Sequence, residues 1–331
     1  RAALDPGARR APRSPRRRPP PLTAPAGPGY ADDVTLAPSF IENRYDEVTV
    51  LASSHGGAFP YGNTVVVRGS AGTLVVDPSL EVDHDPVQPD AVMISHAHED
   101  HIAGLRYFSA DKFAHHADVD GVRSLQVLLD NYGLTDEERA GVDAQIGDTF
   151  RLTSGFPEAA GVEDGHTFDL GGVTATVVHL PGHTAGHSGI LVEPTGFLYL
   201  ADIDLTSFGP MYGDLGSSVD DYLASIARVR DIDARWYGTF HQKGVVTGAD
   251  DFRSRLADYE AVIHRREERL QELLRRPLTV EEIATERLVY RPHVQLPFVD
   301  AVEKRTAELH LERLVRHGQV TRSEDGVYHR S

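Results

Sequence analysis

The sequence predicts an α+β fold, and three observations carry that prediction. The first hundred ordered-looking residues hold β-branched runs separated by glycine-rich turns, a histidine-rich stretch follows a short apolar run, and the last third is helical until a closing hairpin. From Glu47 to Asp77, Thr64-Val65-Val66-Val67 and Thr73-Leu74-Val75-Val76 read as strands joined by a hairpin at Gly69-Ser70-Ala71-Gly72. Upstream, Ser54-His55-Gly56-Gly57 and Tyr61-Gly62-Asn63 form a glycine-rich loop. Ala91-Val92-Met93-Ile94 reads as a buried strand, and Ile102 to Tyr107 as the start of a helix. Val122, Leu125 and Leu129 keep helical spacing, and Thr135 with Glu138 makes a capping box.

Two similar hexads, Gly147–Leu152 and Gly165–Leu170, suggest a strand-turn element used twice, although six residues are too few to establish a repeat. Gly172 to Leu180, Ile190 to Val192 and Phe197 to Leu200 read as strands, with Ala234 to Phe240 the last of that series. Between them, Val219, Tyr222, Leu223 and Ile226 mark an amphipathic helix with Ser218 as N-cap. Phe252, Leu256, Tyr259, Ile263 and Leu270 describe one long helix ending at a joint near Arg275-Arg276-Pro277. Thr279 and Glu282 cap a short helix, Ala307, Leu311, Leu314 and Val315 lie on a longer one that Gly318 closes, and a hairpin follows around Glu324-Asp325-Gly326.

At 331 residues the chain can bury one large core with a small second domain to spare. It has no cysteine, which excludes disulfides, thiolate ligands and a thiol nucleophile. Residues 1–30 hold seven Arg and one Asp, so the remaining body has 26 basic and 49 acidic residues, a poor electrostatic match to nucleic acid. Residues 1–29 are rich in Arg and Pro without periodicity and read as a disordered tail. Arg9-Arg10 and Arg16-Arg17-Arg18 hint at an address signal, but no apolar stretch follows them. No run reaches membrane-spanning length, so a cytoplasmic protein with no membrane partner is expected.

The chemistry concentrates after the Ala91–Ile94 strand, where His96-Ala97-His98-Glu99-Asp100-His101 puts three imidazoles and carboxylates within six positions. Residues so spaced in a loop can turn toward one point, and imidazole with carboxylate is the ligand set of zinc and its neighbours. A solvated histidine cluster would account for the composition but not for the spacing. Farther on, His183 stands just beyond a strand, as does Asp202, with Asp204 on the same face if that strand continues.

These stretches resemble the motifs of the metallo-β-lactamase superfamily. His96–His101 is similar to its HxHxDH, Pro181-Gly182-His183-Thr184-Ala185-Gly186-His187 to its PGHTxGH, Leu200-Ala201-Asp202 to its strand ending in Gly-Asp, and Thr239-Phe240-His241 to its final Ser-His or Gly-His. The resemblance spans roughly residues 47–275 and keeps the motifs in family order. It implies an αββα sandwich in which His96, His98 and His183 hold one metal, Asp100, His101 and His241 a second, and Asp202 bridges them. Asp100 is also assigned to catalysis. Asp77 is expected to brace a ligating histidine, and His55 either to border the substrate or to sit in a surface turn. His166, His179 and His187 are better explained as supporting or structural residues, and the run Thr206–Gly213 as either a pocket wall or a packed loop. Ala201 and Gln242-Lys243 stand where the family usually has glycine.

The implied activity is a binuclear metal-dependent hydrolase that uses a metal-bridging hydroxide on an ester-like bond, thioesters such as glyoxalase II substrates being favoured. Two divalent ions are expected, zinc suiting the all N/O ligand set best, with iron or manganese open. A phosphodiesterase or nuclease, a mononuclear iron persulfide dioxygenase and a structural metal clamp remain alternatives. The C-terminal segment resembles the winged-helix domain of some superfamily members, which sets the domains at 1–29 (tail), 30–275 and 276–331. From Leu278 to Ser331 it carries nine acidic and eight basic residues, which favours packing or homodimer formation over nucleic-acid binding. The expected partner is a small-molecule substrate.

Overall fold

In the computed structural model the described residues are 40–82 and 87–331; the Arg/Pro-rich tail expected at residues 1–29 lies outside them. Strands β1 (Phe40–Tyr45), β2 (Val48–Ser53), β3 (Thr64–Arg68), β4 (Thr73–Val76), β5 (Ala91–Ile94), β6 (Asp111–His115) and β7 (Ala160–Val162) form a sheet in chain order. The first four pair antiparallel, and β4 to β7 pair parallel. A second sheet contains β8 (Thr167–Asp169), β9 (Thr174–His179), β10 (Ser188–Glu193), β11 (Phe197–Tyr199), β12 (Trp236–Gly238) and β13 (Val245–Thr247), again in sequence order. Its one parallel pair is β11 with β12.

Side-chain alternation explains how the layers stack. On β3, Val65 and Val67 face the second sheet and join Val177, Ile190 and Phe197 in the core between the sheets. Val66, one residue out of step, faces the opposite way and packs with Ile102, Leu105 and Val122. That outer layer comprises α1 (Glu99–Ile102), α2 (Val119–Arg123), α3 (Leu125–Asn131) and α4 (Asp136–Gln145). On the far side, α5 (Val219–Arg230) and α6 (Ala249–Leu273) cover the second sheet, burying Tyr222, Ile226, Phe252 and Leu256 against Leu198 and Leu200. The order helix, sheet, sheet, helix is the αββα sandwich.

The capping boxes at Thr135–Glu138 and Thr279–Glu282 are both formed, and Ser218 caps α5 by accepting from the Asp221 N–H. Four local expectations differ from the structure. The helix expected over Ile102–Tyr107 starts earlier, inside the histidine motif at Glu99, and gives way to a single 3-10 turn at Leu105–Tyr107. The reason is Gly104, whose N–H bonds the Pro78 carbonyl at 2.8 Å and turns the chain out of the helix. The Val122–Leu129 pattern is split at Ser124, which leaves the helical region and caps α3. The two hexads adopt unrelated structures, a π-helical turn at Ile146–Phe150 and strand β8, so they are no repeat. The strand expected over Ala234–Phe240 is only three residues long, and β13 adds an edge strand that was not expected.

Beyond α6 come α7 (Val280–Thr285), α8 (Val299–Arg316) and the ribbon β14 (Val320–Arg322) with β15 (Tyr328–Arg330). Leu278, Ile283, Leu311, Leu314 and Tyr328 form their core, and Leu270 and Leu274 from the end of α6 complete it. Arg313 and Arg316 on α8 pair with Asp220 on α5, and the described residues belong to one compact unit. Among the described residues no helix is long and apolar enough to cross a membrane.

His115 closes one edge of the sandwich. Its ring, at the end of β6, stacks on His179 at the end of β9 with centroids 3.8 Å apart. Burial, then the neighbouring His179 and His116, pull its imidazole from 6.5 down to about 4. Between those values the unfolded chain takes up a proton that the folded chain refuses, so stability falls as pH drops through that window. Thermal unfolding followed against pH should show a steeper loss in the wild type than in His115→Phe, which keeps the stacked ring and removes the proton site.

Candidate metal centre

The loops that follow β5, β9, β11 and β12 bring seven polar side chains together. His96, His98, Asp100, His101 and His183 are buried, and Asp202 and His241 are nearly so. The Nε2 atoms of His96 and His183 and the Nδ1 atom of His98 lie 3.0–3.1 Å from one another. A second group joins Asp100, His101 and His241, with His241 Nε2 3.1 Å from Asp100 Oδ2. Asp202 stands between the two groups, its Oδ1 3.1 Å from His101 Nε2 and its Oδ2 3.4 Å from His183 Nε2 and 3.9 Å from His241 Nε2.

Each imidazole has a partner at its outer nitrogen, which leaves the inward nitrogen as a lone pair when the ring is neutral. His183 Nδ1–H donates to the Met211 carbonyl at 2.8 Å, His98 Nε2–H to Asp214 at 3.0 Å and His101 Nδ1–H to Asp77 at 2.9 Å. His241 Nδ1–H donates to the Gly57 carbonyl at 3.0 Å, and His96 Nδ1 lies 3.0 Å from the Ser95 hydroxyl. In the neutral tautomer that these outer partners select, the inward lone pairs converge on one another. His101 Nε2 and Asp202 Oδ1 are buried without a hydrogen-bond partner although only 3.1 Å apart. Divalent cations fit this donor set: zinc–nitrogen bonds of about 2.0–2.1 Å in a tetrahedral site place neighbouring nitrogens roughly 3.3 Å apart.

The surrounding carboxylates favour positive charge within the cluster. Burial opposes the charged form of every group, yet the Asp214 carboxylate lifts His98 to about 9, and Asp202 and Asp100 lift His241 to about 9. Burial is likewise outweighed at His101, raised by Asp202, Asp77 and Asp100, and at Asp202, whose acidity is increased by His101 and His241. His96 and His183 are lowered, chiefly by burial. Asp202 is thus a carboxylate among imidazoles, the charge arrangement that suits a bridging ligand.

Local structure explains the placement. Gly182 has φ +129, and a Cβ there would come within 2.4 Å of the Tyr222 backbone, so the loop carrying His183 can cross the first turn of α5 only with glycine. Ala201, in the family's usual glycine position, takes the left-handed conformation with φ +48 and so turns Asp202 inward. The hydroxyls of Tyr222 and Tyr259 both lie 3.0 Å from the Asp202 carbonyl. Asp204 is directed elsewhere, accepting from the Thr206 N–H and hydroxyl at 3.0 and 2.9 Å, and burial raises its carboxyl to about 6. The geometry thus places Asp202, and not Asp204, among the converging side chains.

Asp77 accepts from the Ser95 N–H and hydroxyl, from His101 and from the Tyr199 hydroxyl, at 2.6–2.9 Å, with no solvent exposure. Asp77→Asn would turn a donor toward three donors and free the His101 ring. Metal titration of that variant should show affinity at the Asp100–His101–His241 group down by about 10–100-fold, with the His96–His98–His183 group little affected. His55 takes the surface-turn alternative: it stacks on Tyr61 at 3.9 Å, bonds Glu81 at 3.0 Å and is not among the residues lining the cavity above the centre. Its loop still reaches the site through the Gly57 carbonyl. His187 donates to the Leu180 carbonyl and accepts from the Asp202 N–H, a supporting role. His166 packs against Phe113 and Phe168. His115, His116 and Glu163 form another candidate group at the surface, where His116 and Glu163 already pair at 3.0 Å.

Sequence reading missed Asp214, 116 positions from the histidine it holds. It also missed Asp118, which ties the two metal loops by accepting from the Ala97 and Gly186 N–H groups and the Thr184 hydroxyl. No periodicity or motif marks either residue.

The fold and its converging histidine–aspartate groups define an αββα protein with clusters that could hold metal ions. A family model described as the metallo-beta-lactamase superfamily matches residues 57–241, and the chain belongs to that superfamily, whose members are mostly metal-dependent hydrolases. A metallo-beta-lactamase family protein from Thermus thermophilus shares the fold at 23% identity and a TM-score of 0.65, over 86% of this chain and 99% of that one. A beta-lactamase domain protein from Burkholderia ambifaria matches at 18% identity and a TM-score of 0.63, over 91% and 96% of the two chains. No curated protein gives a significant match to the sequence.

Proposed function

We propose that the chain is a binuclear metal-dependent hydrolase of ester-like bonds, with thioesters the favoured class. The observation that supports this most is the position of Asp202, whose two oxygens face two separate ligand groups. His96, His98 and His183 would hold one cation and Asp100, His101 and His241 the other. When bound, such a pair supplies an activated water and polarises the attacked carbonyl oxygen.

The chain's own residues do the rest. Asp77, Asp214 and the carbonyls of Met211 and Gly57 keep the imidazole lone pairs aimed at the centre, so the ligands need no reorganisation. Asp118 holds the loop of His96 and His98 against that of His183. The run Thr206–Gly213 contributes Thr206, Phe208, Gly209, Met211 and Gly213 to the wall of the cavity above the site, where substrate is held away from bulk water. The C-terminal segment, whose helices and ribbon we read as winged-helix-like, contributes Leu296, Phe298 and Val302 to the same wall. That position supports a packing role for the segment and a small-molecule substrate.

Purified protein loaded with zinc, iron or manganese should hydrolyse thioesters or simple esters in a panel that includes phosphodiesters, β-lactams and persulfides. Turnover of phosphodiesters alone would overturn the reading in favour of a nuclease or phosphodiesterase. Oxygen consumption with a persulfide, at one iron per chain, would replace it by a dioxygenase.

A further inference from the structure

From the cavity above the metal centre we infer the substrate's chemical class: an uncharged ester or thioester with an apolar acyl chain, its carbonyl at the histidine end and its chain against an aromatic wall. The inference rests on the hydrolase reading above and adds what the cavity excludes.

The cavity is about 370 Å³, near the small end of the roughly 300–1,000 Å³ usual for small-molecule sites. Its floor is His98, Asp100, His183, Asp202 and His241. Around it run four rings from three separate stretches of chain: Phe59, Phe298, Tyr290 and Phe208, with successive centroids 6.2, 6.3 and 5.4 Å apart. Phe59, Phe208 and Leu296 are 40%, 37% and 38% exposed, and all three line this cavity. Large apolar side chains left in water around one opening mark a surface awaiting an apolar ligand. The cavity's acidic lining residues are Glu99, Asp100, Asp202, Asp204 and Asp214, of which Asp100 and Asp202 belong to the candidate metal centre and Asp214 holds His98. Among the described residues no Lys or Arg lines the cavity; Arg266, the cation behind it, spends its guanidinium on the carbonyls of Pro210 and Phe208 and on the Tyr212 hydroxyl.

Glutathione, coenzyme A and nucleic acid each carry carboxylates or phosphates, and burying them along a wall that offers no Lys or Arg carries a desolvation penalty. An alkyl chain meets rings and pays no such penalty. The wall is also rigidly placed: buried Glu303 on α8 accepts from the backbone N–H groups of Leu288, Val289 and Tyr290, which fixes Tyr290 relative to Phe298.

The test is hydrolysis of N-acetylcysteamine thioesters from acetyl to decanoyl by the metal-loaded full chain, beside the same acyl groups on glutathione and on coenzyme A. We expect kcat/KM to rise about three- to four-fold per methylene until the wall is covered, as burial of each CH₂ dictates. We also expect the neutral carrier to exceed both anionic carriers at least ten-fold. A flat chain-length series, or anionic carriers hydrolysed as well as the neutral one, would overturn the inference while leaving the hydrolase reading intact. A second measurement is independent of turnover: calorimetric titration of 2-decanone, which has no bond to hydrolyse, into wild type and Leu296→Asp. Leu296 is partly exposed, so the variant should fold, and its affinity should fall at least ten-fold. Ketone binding that the variant leaves unchanged would overturn the wall's role. If phosphodiesters alone are turned over, the hydrolase reading fails, and the proposed substrate class fails with it.

Discussion

Asp202→Asn should bind one metal ion per chain in place of two and lose about a thousand-fold or more in hydrolytic rate, with its melting temperature nearly unchanged. The substitution keeps size and shape, and it replaces one anionic oxygen by an NH₂ group that cannot face an imidazole lone pair and a cation together. Asp202 is the group whose two oxygens approach both His101 and His183, so neither ligand group alone substitutes for it. The rate loss reflects the several kcal/mol that a paired site contributes to the transition state. Stability should hold because the hydroxyls of Tyr222 and Tyr259 grip the backbone carbonyl of residue 202, which the variant retains. Metal analysis, single-turnover kinetics and thermal unfolding of the same preparation separate these effects. Two ions retained with full activity would remove Asp202 from the centre.

Glu303→Ala should have the opposite profile, a large loss of stability with the metal groups themselves intact. Glu303 is fully buried, and its carboxylate accepts from three backbone N–H groups at 2.6–3.2 Å. Removing it leaves these donors unsatisfied and opens a cavity in a packed layer, a combined cost of about 3–5 kcal/mol. Glu303→Gln keeps one acceptor oxygen and should lose roughly half as much. Denaturant unfolding at fixed metal concentration reads both, and an Ala variant as stable as wild type would show that the Leu288–Tyr290 turn holds without this clamp.

The legibility of the chain follows from which of its signals are local. Strands β3 and β4 could be read because both faces are buried, which fills them with Val, and because the hairpin between them demands glycine. The capping boxes at Thr135 and Thr279 and the cap at Ser218 are short-range chemistry and were legible for that reason. The seven residues of the centre could be located because each lies at or just beyond a strand end within a fixed short motif. What could not be read depends on contacts between distant segments. Asp214 reaches His98 across 116 positions, Asp118 reaches Thr184 across 66, and the helix after His101 is ended by a carbonyl from the Pro78 loop. His55 sits in a loop of the right kind, yet Tyr61 and Glu81 capture its ring before it can reach the cavity. The C-terminal segment was legible as helices and a ribbon, but its contribution to the cavity wall arises from tertiary packing that no spacing encodes.

The most direct test of the binuclear centre is metal analysis of the full chain combined with anomalous X-ray scattering from its crystals. Two divalent ions are expected about 3.5–4 Å apart, one among His96, His98 and His183, the other among Asp100, His101 and His241, with Asp202 touching both. A single ion at saturating metal, or a second one lodged away from His241 and Asp202, would contradict a binuclear centre.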